Sequence, residues 1–344
     1  MFSAQEIGKP DPSRRVGPAA LGEASALGGA AILAPMSGIT DLGMRRAARR
    51  FGATLAFSEM VASDEFLACN GEARLRAEGE GAQPHAAQLV GCEPLAMAEA
   101  ARRLEGAGAR LIDINMGCPS RRVSGRLAGC ALMRDLDQAA RLIEAVASAV
   151  HGPVSVKMRL GWDEGERNAP VLARRAEAAG ASMITVHGRT RSQMYNGRAD
   201  WTAVGEVVAA VRAPVLVNGD CRSLEDARAM LAQSGAEGVM IGRAAVGAPW
   251  LVGAIARALQ TGAPLAEPCA EERCAAALTH IEWLLAALGR AAGLRHARKH
   301  LSAYAEKAGA PEALRRTLVT SEDADEALRL LARAFAPESQ QEAA

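Results

Sequence analysis

Eight short apolar runs recur along the chain, each about the length of a β-strand. They are Ala31–Met36, Leu55–Met60, His85–Val90, Leu111–Met116, Val154–Arg159, Met183–His187, Val215–Asn218 and Gly238–Gly242. Between most of them lie segments rich in Ala, Arg and Glu whose apolar positions return at helical spacing, as in Pro94–Gly106 and Leu224–Ser234. Gly or Pro marks the joins, at Gly108, Gly152–Pro153, Gly180, Pro214 and Gly235. Eight strands alternating with helices over about 220 residues have the number and size of a (β/α)8 TIM barrel. An open doubly wound sheet is the rival. It is disfavoured because no Gly-x-Gly-x-x-Gly follows the first strand and eight β/α units fit without remainder.

Beyond residue 262 the strand-like runs stop. Helical segments follow at Ala270–Leu288, Arg295–Glu306, Pro311–Val319 and Asp323–Phe335. The expected organisation is therefore an N-terminal tail (1–29), a barrel (30–260), a small C-terminal helical bundle (261–335) and a short tail (336–344). From Arg290 to Arg316 there are seven Lys or Arg against two Glu. The cations of "RHARKH" sit on one short helix, which favours contacts to phosphates over a merely solvated face.

Composition narrows the function classes. The 344-residue chain is 49% hydrophobic and 23% charged, with formal net charge +1, so nucleic-acid binding would need a local patch. Aromatic residues make up 3%, too few for an RNA-stacking sheet. Seven cysteines with no Cys-x-x-Cys pair suggest neither a disulfide framework nor a zinc site, and a reducing cytoplasm is expected. No metal, no membrane and no obligate protein partner are expected. Of the 40 basic residues only Lys9, Lys157, Lys299 and Lys307 are lysines. A lysine inside an apolar run is then there for what arginine cannot do, being a compact point charge.

In a barrel, the C-terminal strand ends face the active site. "NGD" (218–220) and "IGR" (241–243) end strands seven and eight, where Gly219 and Gly242 let the backbone approach a phosphate and Arg243 adds charge. Lys157 pointing into the mouth needs an anionic partner, such as the pyrimidine edge of a reduced flavin. Gln88 can both donate to and accept from that edge, and Pro35–Met36 offers an apolar cap. Together they point to FMN more than to a nicotinamide. Cys118, in "DINMGCPSRR", could be an inert buried thiol, a metal ligand, a nucleophile or an acid. Metal ligation lacks partners, and a nucleophile would need a base such as His187 brought near in space. The loop position, Pro119 and the adjacent Arg121 and Arg122 argue against an inert thiol, which leaves a thiol acid beside the flavin.

The motifs "APMSGITD" (34–41), "SEM" (58–60), "DINMGCPSRRV" (113–123), "LAGCALM" (127–133), "VKMRLGW" (156–162), "TVHGRTRSQMYNG" (185–197), "VNGD" (217–220) and "IGRAAVGAPW" (241–250) resemble the bacterial tRNA-dihydrouridine synthases. The tail "RHARKHLSAY" (295–304) is closest to the B-type branch. The resemblance covers residues 30 to 335. It implies an FMN-containing barrel with a C-terminal tRNA-binding helical domain, which uses NADPH to reduce D-loop uridines to 5,6-dihydrouridine. It implies hydride transfer from FMN N5 to uracil C6 and protonation of C5 by Cys118. By motif, Pro35, Met36, Ser37, Gln88, Lys157, Asn218, Gly219, Asp220, Gly242 and Arg243 match FMN contacts. His187 matches a histidine facing the flavin and its phosphate, and Asn115 and Arg159 match positions near the flipped uracil. Arg121, Arg122, Arg295, Arg298 and Lys299 would meet the tRNA. "SRRV" departs from the lysines that relatives often carry after Cys-Pro. Two rivals remain: an FMN barrel acting on a free pyrimidine base, which would not need the basic bundle, and a non-enzymatic RNA-binding protein, which would not need Cys118 and Lys157.

Overall fold

The structure, a computed structural model, describes residues 30–336. The expected tail at 1–29, and all of the expected tail at 336–344 except Ala336, lie outside the described residues. Eight strands form a closed parallel barrel in sequence order. They are β1 (Ala30–Leu33), β2 (Leu55–Ala62), β3 (His85–Val90), β4 (Leu111–Met116), β5 (Val154–Arg159), β6 (Met183–His187), β7 (Val215–Asn218) and β8 (Gly238–Ile241). β8 closes the ring on β1, with Ile32 opposite Met240. The helices are α1 (Leu42–Arg50), α2 (Ser63–Leu67), α3 (Gly71–Ala77), α4 (Pro94–Gly106), α5 (Arg121–Ser124), α6 (Leu136–Ala149) and α7 (Ala169–Ala178). They continue as α8 (Trp201–Ala210), α9 (Leu224–Ser234), α10 (Trp250–Thr261), α11 (Ala270–Leu288), α12 (Arg290–Lys307), α13 (Glu312–Thr320) and α14 (Ala324–Ala334). No helix among the described residues is long and apolar enough to cross a membrane.

The strands read as continuous apolar runs because both faces are buried. The period of two still decides what the barrel contains. Ala30, Ile32, Leu55, Phe57, Ala86, Leu111, Met183, Leu216 and Met240 pack into one buried interior cluster. Towards the C-terminal ends of the strands the inward positions are polar: Gln88 on β3, Asp113 and Asn115 on β4, Ser155 and Lys157 on β5, His187 on β6 and Asn218 on β7. The outward residues, such as Ile112, Ile114 and Met116 on β4, pack in the larger cluster with the helices. The interior is thus apolar at one end and polar at the other.

Some elements differ from the expectation. β1 stops at Leu33 and not at Met36: Ala34 still donates to Ile241 (2.8 Å), but Pro35 has no N–H to extend the ladder. The chain then turns, with Met36 N–H donating to Thr40 Oγ1 (3.0 Å), and Asp41 caps α1 by accepting from Met44 N–H (3.0 Å). β8 ends at Ile241, one residue before the expected Gly242. The short α2 and α3 after β2 were not anticipated. α12 begins at Arg290, because Gly289 in a positive-φ conformation (78°) separates it from α11 and the helix runs on from there.

The C-terminal helices dock on the barrel through one buried polar cluster. His280 Nε2 donates to Asp41 (3.0 Å to Oδ1), and its Nδ1 pairs with the Tyr304 hydroxyl (2.9 Å). His300 Nε2 lies 3.4 Å from Asp41 Oδ2. Tyr304 in turn stacks on Trp250 of α10 (6.3 Å between ring centres). α11 comes so close to α1 that a Cβ at Gly43 would lie 2.8 Å from His280 Cδ2. Three ligand-type groups meet here, but among the described residues no fourth joins them. The cluster ties α11 and α12 to the start of α1 through the hydrogen bonds of His280.

Candidate active site

A cavity of about 780 Å³ opens at the C-terminal end of the barrel, within the range typical of small-ligand pockets. Cys118 lines it, as does every residue expected to contact a flavin, from Pro35, Met36 and Ser37 on the first loop to Gly242 and Arg243 after β8. Asn115 and Arg159 line it as well. Arg121, Arg122, Arg295, Arg298 and Lys299 do not. Arg121 and Arg122 are exposed on α5, and Arg122 borders a neighbouring pocket of about 360 Å³ that shares Ser37 and Met60 with the main one. Arg295 is exposed on α12, whereas Arg298 is half-buried. Lys299 reaches back to the barrel: its Nζ lies 3.1 Å from where a Cβ on Gly38 would be.

Lys157 Nζ donates to Asn218 Oδ1 (3.0 Å). The Asn218 amide is held in that sense because its Nδ2 donates to Met240 O (2.8 Å). Burial, and then repulsion from Arg159, lowers the Lys157 pKa to about 8. Among the described residues the ammonium forms no salt bridge, and it keeps donors for an incoming acceptor. After β7 and β8 the backbone N–H groups of Gly219, Asp220, Gly242 and Arg243 take no hydrogen bond among the described residues. Gly219 has φ +117° and packs so tightly that a Cβ would fall 2.7 Å from His187 Cδ2. Only glycine fits there. Asp220 does not face an anion with a free carboxylate. It accepts from Arg189 (2.6 Å), Ala199 N–H (2.9 Å) and Arg243 (3.2 Å). Burial opposes its charge, but Ala199 N–H and the two guanidiniums hold its pKa below the usual range.

His187 is buried, and burial followed by the cations Lys157, Arg159, Arg189 and Arg243 drives its pKa well down. Its imidazole is neutral. Arg189 donates to Nε2 (3.2 Å), so Nδ1 carries the proton. Arg189 and Tyr195 are site residues that sequence reasoning did not single out. Arg189 also donates to Asn196 O and Gly197 O, shaping the loop after β6. The Tyr195 ring carries the Arg159 and Arg243 guanidiniums at 5.4 and 5.3 Å. Both residues lie in the "HGRTRSQMYNG" stretch. For Tyr195, rarity was the available signal, since the chain has only two tyrosines.

The Cys118 loop is tied on both sides. Asn115 Oδ1 accepts from Gly117 N–H (3.1 Å) and Cys118 N–H (2.9 Å). Arg159 donates to Gly117 O (2.9 Å), and Cys130 N–H to Cys118 O (3.1 Å). Burial raises the Cys118 pKa above its ordinary value, against the pull of Arg159 and Lys157. At neutral pH it is a thiol, not a thiolate.

A thiol that keeps its proton, a cationic lysine and free backbone donors around one cavity suit reduction chemistry on a bound anionic cofactor. Comparison with known proteins identifies the family. The family described as Dihydrouridine synthase (Dus) matches residues 32–340. A probable tRNA-dihydrouridine synthase of Rhodobacter capsulatus is 51% identical over 315 residues, covering 91% of this chain and 96% of that one. Another, of Rhizobium leguminosarum, is 49% identical over 80% of this chain and 85% of its own. The tRNA-dihydrouridine synthase B of Xanthomonas campestris is 45% identical, covering 80% and 83%. The chain belongs to the dihydrouridine synthase family.

Proposed function

We propose that this protein is a flavin-dependent tRNA-dihydrouridine synthase that reduces D-loop uridines, with Cys118 as the acid. The observation that carries the reading is a single cavity that gathers Cys118, held as a thiol, with the donors a flavin mononucleotide requires. The residues present fit that group. Lys157 and Gln88 would take the pyrimidine edge, and Pro35–Ser37 would cover the ring. The free N–H groups at Gly219, Asp220, Gly242 and Arg243, with the Arg243 guanidinium, would take the phosphate. His187 would add its Nδ1–H. Asp220 supports this site indirectly, by neutralising Arg189 and aiming Arg243.

Bound FMN would supply the hydride for uracil C6, with NADPH as the source of its electrons. The rest falls to side chains. Cys118 holds the proton at Sγ for uracil C5. Its raised pKa keeps that proton in place until the carbon needs it. Arg159 secures Gly117 and stacks on Tyr195, which fixes the floor beside which a base would lie. The target uridine must leave its stack to reach this depth. Exposed Arg121, Arg122 and Arg295, with Arg298 and Lys299 on α12, would meet the phosphates around it.

Cys118→Ala tests the assignment. Flavin reduction by NADPH should persist, because hydride arrival needs no thiol. Oxidation of the reduced enzyme by unmodified tRNA, measured in a single turnover, should slow by about 10²–10⁴-fold, the usual worth of a general acid. A variant as fast as the parent would return Cys118 to a packing role.

A further inference from the structure

We propose that Asp113 is a positioning residue for Cys118, acting through the amides of Gln88 and Asn115. The groups stand side by side on neighbouring strands, in register: Gln88 pairs with Asp113 across β3 and β4, and Asp113 with Ser155 across β4 and β5. Asp113 is fully buried. Its Oδ2 accepts from Gln88 Nε2 (2.6 Å) and its Oδ1 from Ser155 Oγ (2.6 Å). Gln88 Oε1 accepts from Asn115 Nδ2 (2.8 Å), and Asn115 Oδ1 accepts from Gly117 and Cys118 N–H.

The direction of this chain is set at both ends, because the Gly117 and Cys118 N–H groups at the loop can only donate and Asp113 at the other end accepts. An amide can turn end for end, but an ionised carboxylate can only accept. Asp113 therefore draws the Gln88 NH2 towards itself. That leaves Gln88 Oε1 to receive the Asn115 NH2, and Asn115 Oδ1 is left facing the loop. Reversing the first amide would reverse the second and put an NH2 group against the Cys118 N–H. The same polarity decides what the cavity meets. Gln88 and Asn115 each keep one amide hydrogen for whatever carbonyl enters, and both line the cavity. Burial raises the Asp113 pKa to about 6, against the hydrogen bonds from Gln88 and Ser155 and the charge of Lys157. The geometry shows both oxygens at work as acceptors, with Gln88 Nε2 and Ser155 Oγ each 2.6 Å away. An apolar side chain could fill the space but could not set a direction. A buried network whose members each have a set donor or acceptor role specifies one arrangement.

The inference rests on the reading of Cys118 as the acid, and the experiment separates the two. Asp113→Asn keeps the shape and removes the acceptor-only character. Ser155→Ala removes one hydrogen bond to Asp113 and leaves the direction intact. Two quantities are read on the purified holoenzyme. One is the alkylation rate of Cys118 by iodoacetamide, resolved by peptide mass spectrometry, which needs no turnover. The other is the rate of tRNA-driven oxidation relative to NADPH-driven reduction. Asp113→Asn should change the first and lower the second by about 10- to 100-fold, the range for losing a charge-assisted hydrogen bond. Ser155→Ala should stay within about threefold in both. Asp113→Asn combined with Asn115→Asp restores an acceptor-only group directly beneath the Cys118 N–H. It should recover the alkylation rate, and also thermal stability should the single variant fold poorly. An Asp113→Asn enzyme that matches Ser155→Ala in both readouts, or a double variant with no recovery, overturns the proposal. Altered alkylation with an unchanged oxidative rate, in an enzyme where Cys118→Ala is also fast, would sink the acid assignment and leave the positioning role standing.

Discussion

Lys157 shows what a single residue type contributes. In a chain that uses arginine almost everywhere, this lysine sits in a β-strand and lines the cavity, with Asn218 as its hydrogen-bond partner among the described residues. An arginine fork would be too large and could not approach a ring edge as a point charge. Lys157→Ala should lower flavin affinity by about 10- to 100-fold, in line with one charge-assisted hydrogen bond, and Lys157→Arg should not restore it. The flavin-to-protein absorbance ratio after desalting measures this. Stoichiometric flavin in the alanine variant would make Lys157 a structural partner of Asn218. Residues of this sort are legible in the sequence, because a polar group inside an apolar strand at the mouth of a barrel is rarely placed there by packing alone. Asp113 was visible too, in the motif before Cys118, but its role was not. Its partners Gln88 and Ser155 become neighbours only through strand register. Asp220 illustrates the reverse: its position was legible, its engagement by two arginines was not.

At the scale of elements, α12 carries the case for RNA contact. His300, Leu301 and Tyr304 bury one face of it, and Arg298 is half-buried. Lys299 leans on the Gly38 turn, beside Glu59. Arg295 is exposed, as Lys299 is, but among the described residues has no such contact with the barrel and is the cleanest to test. Arg295→Ala should reduce the slope of log affinity for tRNA against log salt by roughly one unit, without changing thermal stability. A slope equal to that of the parent would make this face merely solvated. α12 was legible as a helix from its spacing. Which of its cations face outward was not, since that depends on what α11 and the barrel cover. α2 and α3 were missed for a simpler reason. At five and seven residues they are too short for a helical period to declare itself.

For the whole molecule, strand count and strand ends were readable, because all eight runs are buried on both faces and punctuated by Gly or Pro. The closure of β8 on β1 followed from the count. The docking of the C-terminal helices did not, because Asp41, His280 and His300 are far apart in sequence and individually unremarkable. His300 of that docking, together with two buried histidines of the barrel, makes stability depend on pH. Burial holds His85 and His300 at about 4, and His187 is also well below its ordinary value. The unfolded chain takes up these protons near pH 6.5, so between about 4 and 6.5 it binds more protons than the folded chain and stability rises with pH. Asp113 and Glu59, both raised by burial, act in the opposite sense but are outnumbered. Urea midpoints should therefore be higher at pH 7 than at pH 5. His300→Asn should remove about 2 kcal/mol of that difference, and an unchanged difference would show that His300 does not titrate with folding.

Asp41 belongs to both parts of this architecture. It caps the helix that follows the first cavity loop, and it receives His280 from the C-terminal helices. The helical tail is therefore not an interchangeable attachment. A protein engineer who grafts a different tail must bring a buried donor to Asp41. Without one, a carboxylate is stranded in the interior and the turn that walls the cavity loses its backing. Retargeting this protein means redesigning the wall of its main cavity at the same time.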